Sequence, residues 1–186
     1  MNSERAKLDY RCSEFCAEST LSLIRSFAMI YLLLGANLGN RTKTLQRAVG
    51  LIAEYIGPVA QQSALYETAP WGVTDQPAYL NQVLAVDTTL LPDDILIQAQ
   101  TIEQELGRVR FEKWGARVID IDILYYGDHV QESDTLTIPH PYLHKRRFTL
   151  VPLAEIAPDF VHPVLFKTNA ELLAECTDEG EVIHYV

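Results

Sequence analysis

The 186-residue sequence predicts an α+β fold with a largely antiparallel sheet. Three observations carry this. Apolar runs of strand length alternate with two segments of helical period, and glycine and proline fall between them. The composition, 48% hydrophobic and 22% charged, is that of a soluble globular chain, and the length suits one domain with a sizeable core.

Met29 to Leu34 is apolar throughout, as a strand buried on both faces requires, and Gly35-Ala36-Asn37-Leu38-Gly39-Asn40 breaks it with turn formers. Leu45, Ala48, Val49, Ile52 and Ile56 then recur at helical spacing until Gly57-Pro58 stops the helix. Val59 to Tyr66 reads as a second strand. Residues 67–77 form a long polar loop with two prolines, and loops of that length inside compact domains are usually functional. Tyr79 to Leu90 reads as a third strand, with Asn81 an odd polar residue near its start. Pro92-Asp93-Asp94 opens a second helix, where proline suits the first turn and acids suit the positive end. Ile95, Leu96, Ala99, Ile102 and Leu106 form its apolar face, and Gly107 ends it.

A basic loop, residues 108–117, leads into the strand that holds Ile119-Asp120-Ile121-Asp122-Ile123. Beyond the turn at Gly127-Asp128, Thr135 to Ile138 predicts a short strand and Leu150 to Ile156 a short helix. Asn169 is the expected cap of a helix over Ala170 to Cys176, and Glu181 to Tyr185 a last strand. The order strand, helix, strand, strand, helix, strand matches the split βαβ, ferredoxin-like arrangement, with helices expected on one face of the sheet.

The charge balance narrows the function. Residues 1–28 hold four basic and four acidic residues, so the whole excess of −10 lies in residues 29–186, which disfavours a nucleic-acid partner. Cys12, Cys16 and Cys176 lack a metal-type or disulfide spacing and fit a reducing, cytoplasmic setting. No segment approaches the roughly 20 apolar residues needed to cross a bilayer. Residues 1–28 are unlike a signal peptide and read as a non-essential extension, with an amphipathic helix over Ser19–Phe27 as an alternative. A single domain is expected over 29–186, and a monomer is one state the sequence permits.

Side chains alternate across a strand, so Asp120 and Asp122 share one face, about 6.5–7 Å apart, while the isoleucines fill the other. Such a pair attracts a cation; on an exposed edge strand it serves instead as a solvated face. Beside it, Arg108, Arg110, Lys113 and Arg117 place four of the chain's fifteen basic residues within ten positions. Mg²⁺ takes one or two carboxylates plus substrate phosphates, and arginine matches phosphate oxygens, so a nucleoside triphosphate is the ligand these groups suggest. A Gly-x-x-x-x-Gly-Lys-Ser/Thr phosphate loop is absent. Spacing alone leaves a metal-dependent phosphotransferase level with a structural or regulatory module. Trp114 equally suits a core or rim position, His140 a turn cap, Tyr79 and Phe148 the core, and Asn81 a satisfied strand position.

Several separated motifs occur in order: Leu34-Gly35-Ala36-Asn37-Leu38-Gly39, Tyr66-Glu67-Thr68-Ala69-Pro70, Asp75-Gln76-Pro77-Ala78-Tyr79-Leu80-Asn81, Gly107-Arg108-Val109-Arg110, Trp114 to Leu124, Ile138-Pro139-His140-Pro141, and Arg146-Arg147-Phe148-Thr149-Leu150. From Met29 to about Pro163 the chain resembles the 6-hydroxymethyl-7,8-dihydropterin pyrophosphokinases of folate biosynthesis. These transfer pyrophosphate from ATP to a pterin alcohol and release AMP.

The resemblance implies a role for each residue. Asp120 and Asp122 would hold two Mg²⁺ ions, with Asp122 also orienting or deprotonating the pterin hydroxyl. Arg108 and Arg117 would complete the catalytic set. With Arg110 and Lys113 they would belong to a loop closing over the triphosphate, sealed by Trp114, which excludes water from the reaction. His140 and Arg146 would add phosphate contacts, and Gln100, Glu103 and Ile123 would help hold the ATP co-substrate. Tyr79 and Phe148 would sandwich the pterin. Asn81 would read its edge, Thr68, Ala69 and Trp71 would add hydrogen bonds, and Gly35 and Asn37 would shape the floor.

Three departures from the family pattern bear on nucleotide affinity: Ala116 where proline is usual, Lys113 where arginine is common, and Tyr142 where arginine is frequent. The rival readings are a metal-dependent nucleotidyltransferase, which would release pyrophosphate, and a non-catalytic small-molecule-binding module.

Overall fold

The computed structural model describes residues 28–70, 76–108 and 116–186. The first strand, β1 (Ala28–Ala36), leads into α1 (Arg41–Tyr55), then β2 (Val59–Gln62), β3 (Leu65–Thr68) and β4 (Tyr79–Thr88). Helix α2 (Pro92–Glu105) and β5 (Asp120–Tyr126) complete the core, and β6 (Gln131–Glu132) pairs with β7 (Thr137–Ile138) in a small ladder. A 3-10 turn at Leu143–Lys145, α3 (Arg147–Ile156), α4 (Asn169–Glu175) and β8 (Val182–Tyr185) follow. The main sheet runs β5-β1-β4-β3-β8, with β2 also on β4, and every pairing is antiparallel. This is the expected ferredoxin-like core with β8 added outside β3.

Local chemistry explains the helices. The Asn40 side chain caps α1 by accepting from the Lys43 amide at 3.0 Å, and Leu45, Ala48 and Ile52 face the sheet. Gly57 ends the turn after α1 at φ 154°, where a Cβ would stand 2.1 Å from the Asp87 carbonyl oxygen, so only glycine fits. Pro92 opens α2, Asp93 and Asp94 lie in its first turn, and Ile95, Ala99 and Ile102 are buried.

Three expectations change. Val59–Tyr66 is not one strand: it breaks at Ser63-Ala64 into β2 and β3, which share β4 as partner. The Ser63 Oγ accepts from the Val83 amide, and the Ala64 amide turns out of the ladder to the Glu155 carboxylate on α3. Helices cover both faces of the sheet. Ile30, Leu32 and Leu34 of β1 pack with Ile119, Ile121, Ile123 and the apolar faces of α1 and α2. Tyr31 and Leu33 pack with Leu124 and Tyr125 beneath Leu150, Leu153 and Leu172 of α3 and α4. Each such Leu or Ile, once fully buried, is worth about 1.5–3 kcal/mol, so a second apolar layer contributes as a core in its own right. Finally, α4 is capped by Thr168, whose hydroxyl accepts from the Glu171 amide while the Glu171 carboxylate accepts from the Thr168 amide. Asn169 is buried instead, accepting from the Tyr125 hydroxyl and donating to the Ala157 carbonyl. The segment Ser19–Phe27 lies outside the described residues.

Candidate active site

Strand β5 divides its side chains as the alternation requires. Ile119, Ile121 and Ile123 are at most 5% exposed in the α1–α2 core, while Asp120 and Asp122 open onto a cleft on the α3 side. Across the ladder Asp122 stands opposite Leu33 and Asp120 opposite Gly35, and on the next strand Gly35 stands opposite Asn81. Side chains paired this way share a face, so one row runs from carboxylate through glycine to amide. Gly35 keeps the row open, since a Cβ there would lie 3.2 Å from the Asn81 Oδ1 and 3.8 Å from the Tyr79 ring.

The cleft holds about 680 Å³, counted out to open solvent. Its carboxylate end is lined by Asp120, Asp122, Arg117 and Arg146, and its other end by Thr68, Ala69, Tyr79, Asn81 and Phe148, with Leu33, Pro70 and Gln76 between. Asn81 Nδ2 donates to the Thr68 hydroxyl at 2.8 Å, which leaves its Oδ1 facing Gly35. The Arg146 guanidinium lies 5.6 Å from the centre of the Phe148 ring and 5.1 Å from that of Tyr142. The Tyr79 hydroxyl donates to Gln76 Oε1 at 3.3 Å.

Electrostatics set the protonation states. Burial first, and the charge of Asp120 second, push the Asp122 carboxyl up to about 7, against the opposing pull of Arg146. Asp120 is bridged by Arg108 at 2.6 Å and by Arg117. Burial pulls the Arg108 guanidinium down, but Asp120 and Glu103 more than offset this and raise it. Glu103, 4% exposed, pairs with Arg108 and accepts from the Ile121 amide at 2.9 Å, tying α2 to the start of β5. Burial raises its carboxyl, with Arg108 opposing. Arg146 is 8% exposed, and burial lowers it against Asp122 and Asp120. His140, pushed down to about 4 by burial and Arg146, is neutral at pH 7.

Most of the expected site residues meet here, but not all in the expected way. Asn37 does not floor the cleft. It is 2% exposed, its Oδ1 accepts from the Arg117 amide, and its Nδ2 donates to Gln76 Oε1 and the Pro77 carbonyl, so it binds two loop roots together. The Ile123 side chain fills the core, because it has the parity of Ile121 and not of Asp122. Gln100 is half-buried on α2, and His140 stands beyond the cleft lining. Trp71, Arg110, Lys113 and Trp114 lie outside the described residues. Gln76 lines the cleft without having been singled out, although it belongs to the quoted Asp75-Gln76-Pro77 motif. Arg41 and Glu155 were missed because nothing local in the sequence marks their distant partners.

As for a metal, no group of three or more His, Cys, Asp or Glu side chains forms among the described residues. Two adjacent carboxylates, one with a proton affinity raised by burial and then by its neighbour, suit a hard cation that brings further oxygen ligands with a substrate, as Mg²⁺ does. They do not suit a cage made of protein ligands alone. Among the described residues no helix is long and apolar enough to cross a membrane.

Residues 31–158 match the family model described as 7,8-dihydro-6-hydroxymethylpterin-pyrophosphokinase. The chain is 41% identical over 150 residues to the 2-amino-4-hydroxy-6-hydroxymethyldihydropteridine pyrophosphokinase of Aquifex aeolicus, covering 81% of this chain and 93% of that one. It is 45% identical over 151 residues to the enzyme of the same name from Methylorubrum extorquens, covering 81% and 94%. Its fold resembles the crystal structure of wild-type Plasmodium falciparum HPPK-DHPS with pteroate, at a TM-score of 0.69 and 18% identity over 81% of this chain. The match spans only 44% of that longer Plasmodium chain.

Proposed function

Because the chain belongs to the 7,8-dihydro-6-hydroxymethylpterin pyrophosphokinase family, we propose that it transfers pyrophosphate from ATP to 6-hydroxymethyl-7,8-dihydropterin in folate biosynthesis, releasing AMP. The observation that carries this reading is the row Asp120–Gly35–Asn81, which sets a charged end and an amide-and-aromatic end in one cleft.

At the second end, the flat pterin would lie between Tyr79 and Phe148, with Asn81 and Thr68 answering the donors and acceptors on its edge. Its hydroxymethyl arm would then point along the row toward Asp122. Asp122 would there orient that hydroxyl or accept its proton as the oxygen attacks. At the first end, Asp120 and Asp122 would hold Mg²⁺, which when bound neutralises the polyphosphate and favours in-line displacement.

Arg108 and Arg117, which here neutralise Asp120, carry planar forks that suit phosphate oxygens. With a cation held by Asp120, both guanidiniums would be placed to meet the triphosphate. Glu103 aims Arg108 from behind. Arg146, held over Phe148, lies where it would touch both substrates. Neutral His140, with Gln100, Arg110, Lys113 and Trp114, completes the proposed ATP side, and Ala69 and Trp71 the pterin side.

Product analysis with ATP, Mg²⁺ and the pterin alcohol tests the reading. AMP and pterin pyrophosphate should appear in equal amounts, and Asp122→Asn should slow the formation of both by about 10²–10³-fold. Release of free pyrophosphate coupled to the pterin would mean nucleotidyl transfer and contradict it.

A further inference from the structure

Arg41, the first residue of α1, lies outside the cleft yet holds the segment that walls it. Its Nη2 pairs with the Glu67 carboxylate at 2.7 Å, and its Nη1 donates to the Ala78 carbonyl at 2.7 Å. Its guanidinium carbon also lies 5.8 Å from the centre of the Tyr185 ring on β8. The Arg41 and Glu67 side chains are 22% and 33% exposed, so the pair is largely shielded and both ends are fixed. Glu67, the penultimate residue of β3, and Ala78, just before β4, are the roots on either side of the Thr68–Tyr79 pair. The ladder between those strands ends with Thr68 opposite Tyr79, so Thr68 lies one residue loopward of Glu67 and Tyr79 one residue inside Ala78.

Strand alternation turns Thr68 toward the cleft and Glu67 toward the opposite face, where α1 packs. A planar fork that satisfies a carboxylate and a carbonyl at once fixes the distance between them. Beyond the roots, Ala69, Pro70 and Gln76 line the cleft from the same connection. We infer that Arg41 is a positioning residue for the acceptor: from behind the sheet it ties Glu67 to Ala78, the neighbours of the Thr68–Tyr79 pair, and so sets the width of the pterin slot. The inference rests on the reading of that end of the cleft as the pterin slot. It also gives the C-terminal strand a part in the site, since Tyr185 supplies the aromatic face beneath the clamp.

The clamp touches the pterin wall and none of the carboxylate end, so its removal should separate the two substrates. In Arg41→Ala, the Kd of the pterin alcohol, from equilibrium titration, and its KM should both rise about tenfold, as loss of charge-assisted hydrogen bonds predicts. The KM for ATP and kcat should stay within about twofold of wild type. Arg41→Lys should recover part of the loss, because an ammonium can serve one root but lacks the fork. Glu67→Gln, which leaves the bond to Ala78, should show a smaller rise in the same direction.

Equal losses for both substrates in these three variants, or an unchanged pterin Kd in folded protein, would overturn the inference. If Arg41→Ala loses its folded circular dichroism spectrum, the other two variants decide by the same criterion. Wild-type protein that binds the pterin alcohol but forms no pterin pyrophosphate would refute the proposed reaction and leave the clamp standing. Wild-type protein that fails to bind it would remove both.

Discussion

At the scale of single residues, Asp122 shows what the site costs the fold. Its carboxyl is raised to about 7, so the folded state keeps a proton that the unfolded chain releases near its ordinary value of 3.8. Stability contributed by that proton therefore falls as pH climbs through this interval. Asp122→Asn should raise the melting temperature of chelator-treated protein at pH 8 and flatten its decline between about pH 4 and pH 7. The same change should lower kcat by about 10²–10³-fold, the scale on which a group acting in the transition state is missed. Gly35→Ala tests the floor: a methyl group 3.2 Å from the Asn81 Oδ1 must displace that amide, raising the pterin KM with little effect on the KM for ATP. The carboxylate pair was legible because period-two alternation is a local signal. Arg41 and Asn37 were not, since their hydrogen-bonding and ion-pair partners are distant in the chain, the Arg117 amide 80 positions from Asn37, and polar residues around a helix start read only as turn formers.

At the scale of elements, the apolar pattern placed β1, α1, β4, α2 and β5 well, because each buries a continuous face against the sheet. It failed at β2 and β3, where the break depends on the Glu155 carboxylate, 91 positions on, receiving the Ala64 amide. The turn before α4 is likewise held by a contact that pattern cannot show. The His162 Nδ1 accepts from the Val164 and Leu165 amides, and the ring is 4% exposed beside Tyr125 and His144. Burial, then His144, push the imidazole down to about 4. The unfolded chain takes up a proton near 6.5, so this stability is complete above pH 6.5 and is lost as pH falls toward 4. The loss should reach about 2 kcal/mol at pH 5. Urea titrations at pH 7 and pH 5 check it: His162→Asn, whose Oδ1 can receive the same amides, should show a pH dependence smaller by that amount.

For the whole molecule, two helical layers enclose one sheet, and the cleft opens on the α3 face, at the β3-β4 and α2-β5 connections. The order of elements revealed the ferredoxin-like core, but the second layer was hidden because Leu150, Leu153 and Leu172 lie in short helices after the core, and their pattern does not say which face of the sheet they cover. Family motifs supplied the names of the substrates, which spacing and composition left undecided. Ala28 of β1 pairs with Thr88 of β4, so the first strand takes in the residue before Met29. Deleting residues 1–27 should leave kcat/KM within about twofold of the full chain, the margin within which binding and transition-state contacts are unchanged.

The central claim is that a pyrophosphoryl group moves intact from ATP to the pterin. The most direct measurement uses ATP labelled separately in its β and γ phosphates. The account predicts that both labels arrive on the pterin product in equal amounts while AMP stays unlabelled. Transfer of the γ label alone, or release of both labels as free pyrophosphate, would contradict it.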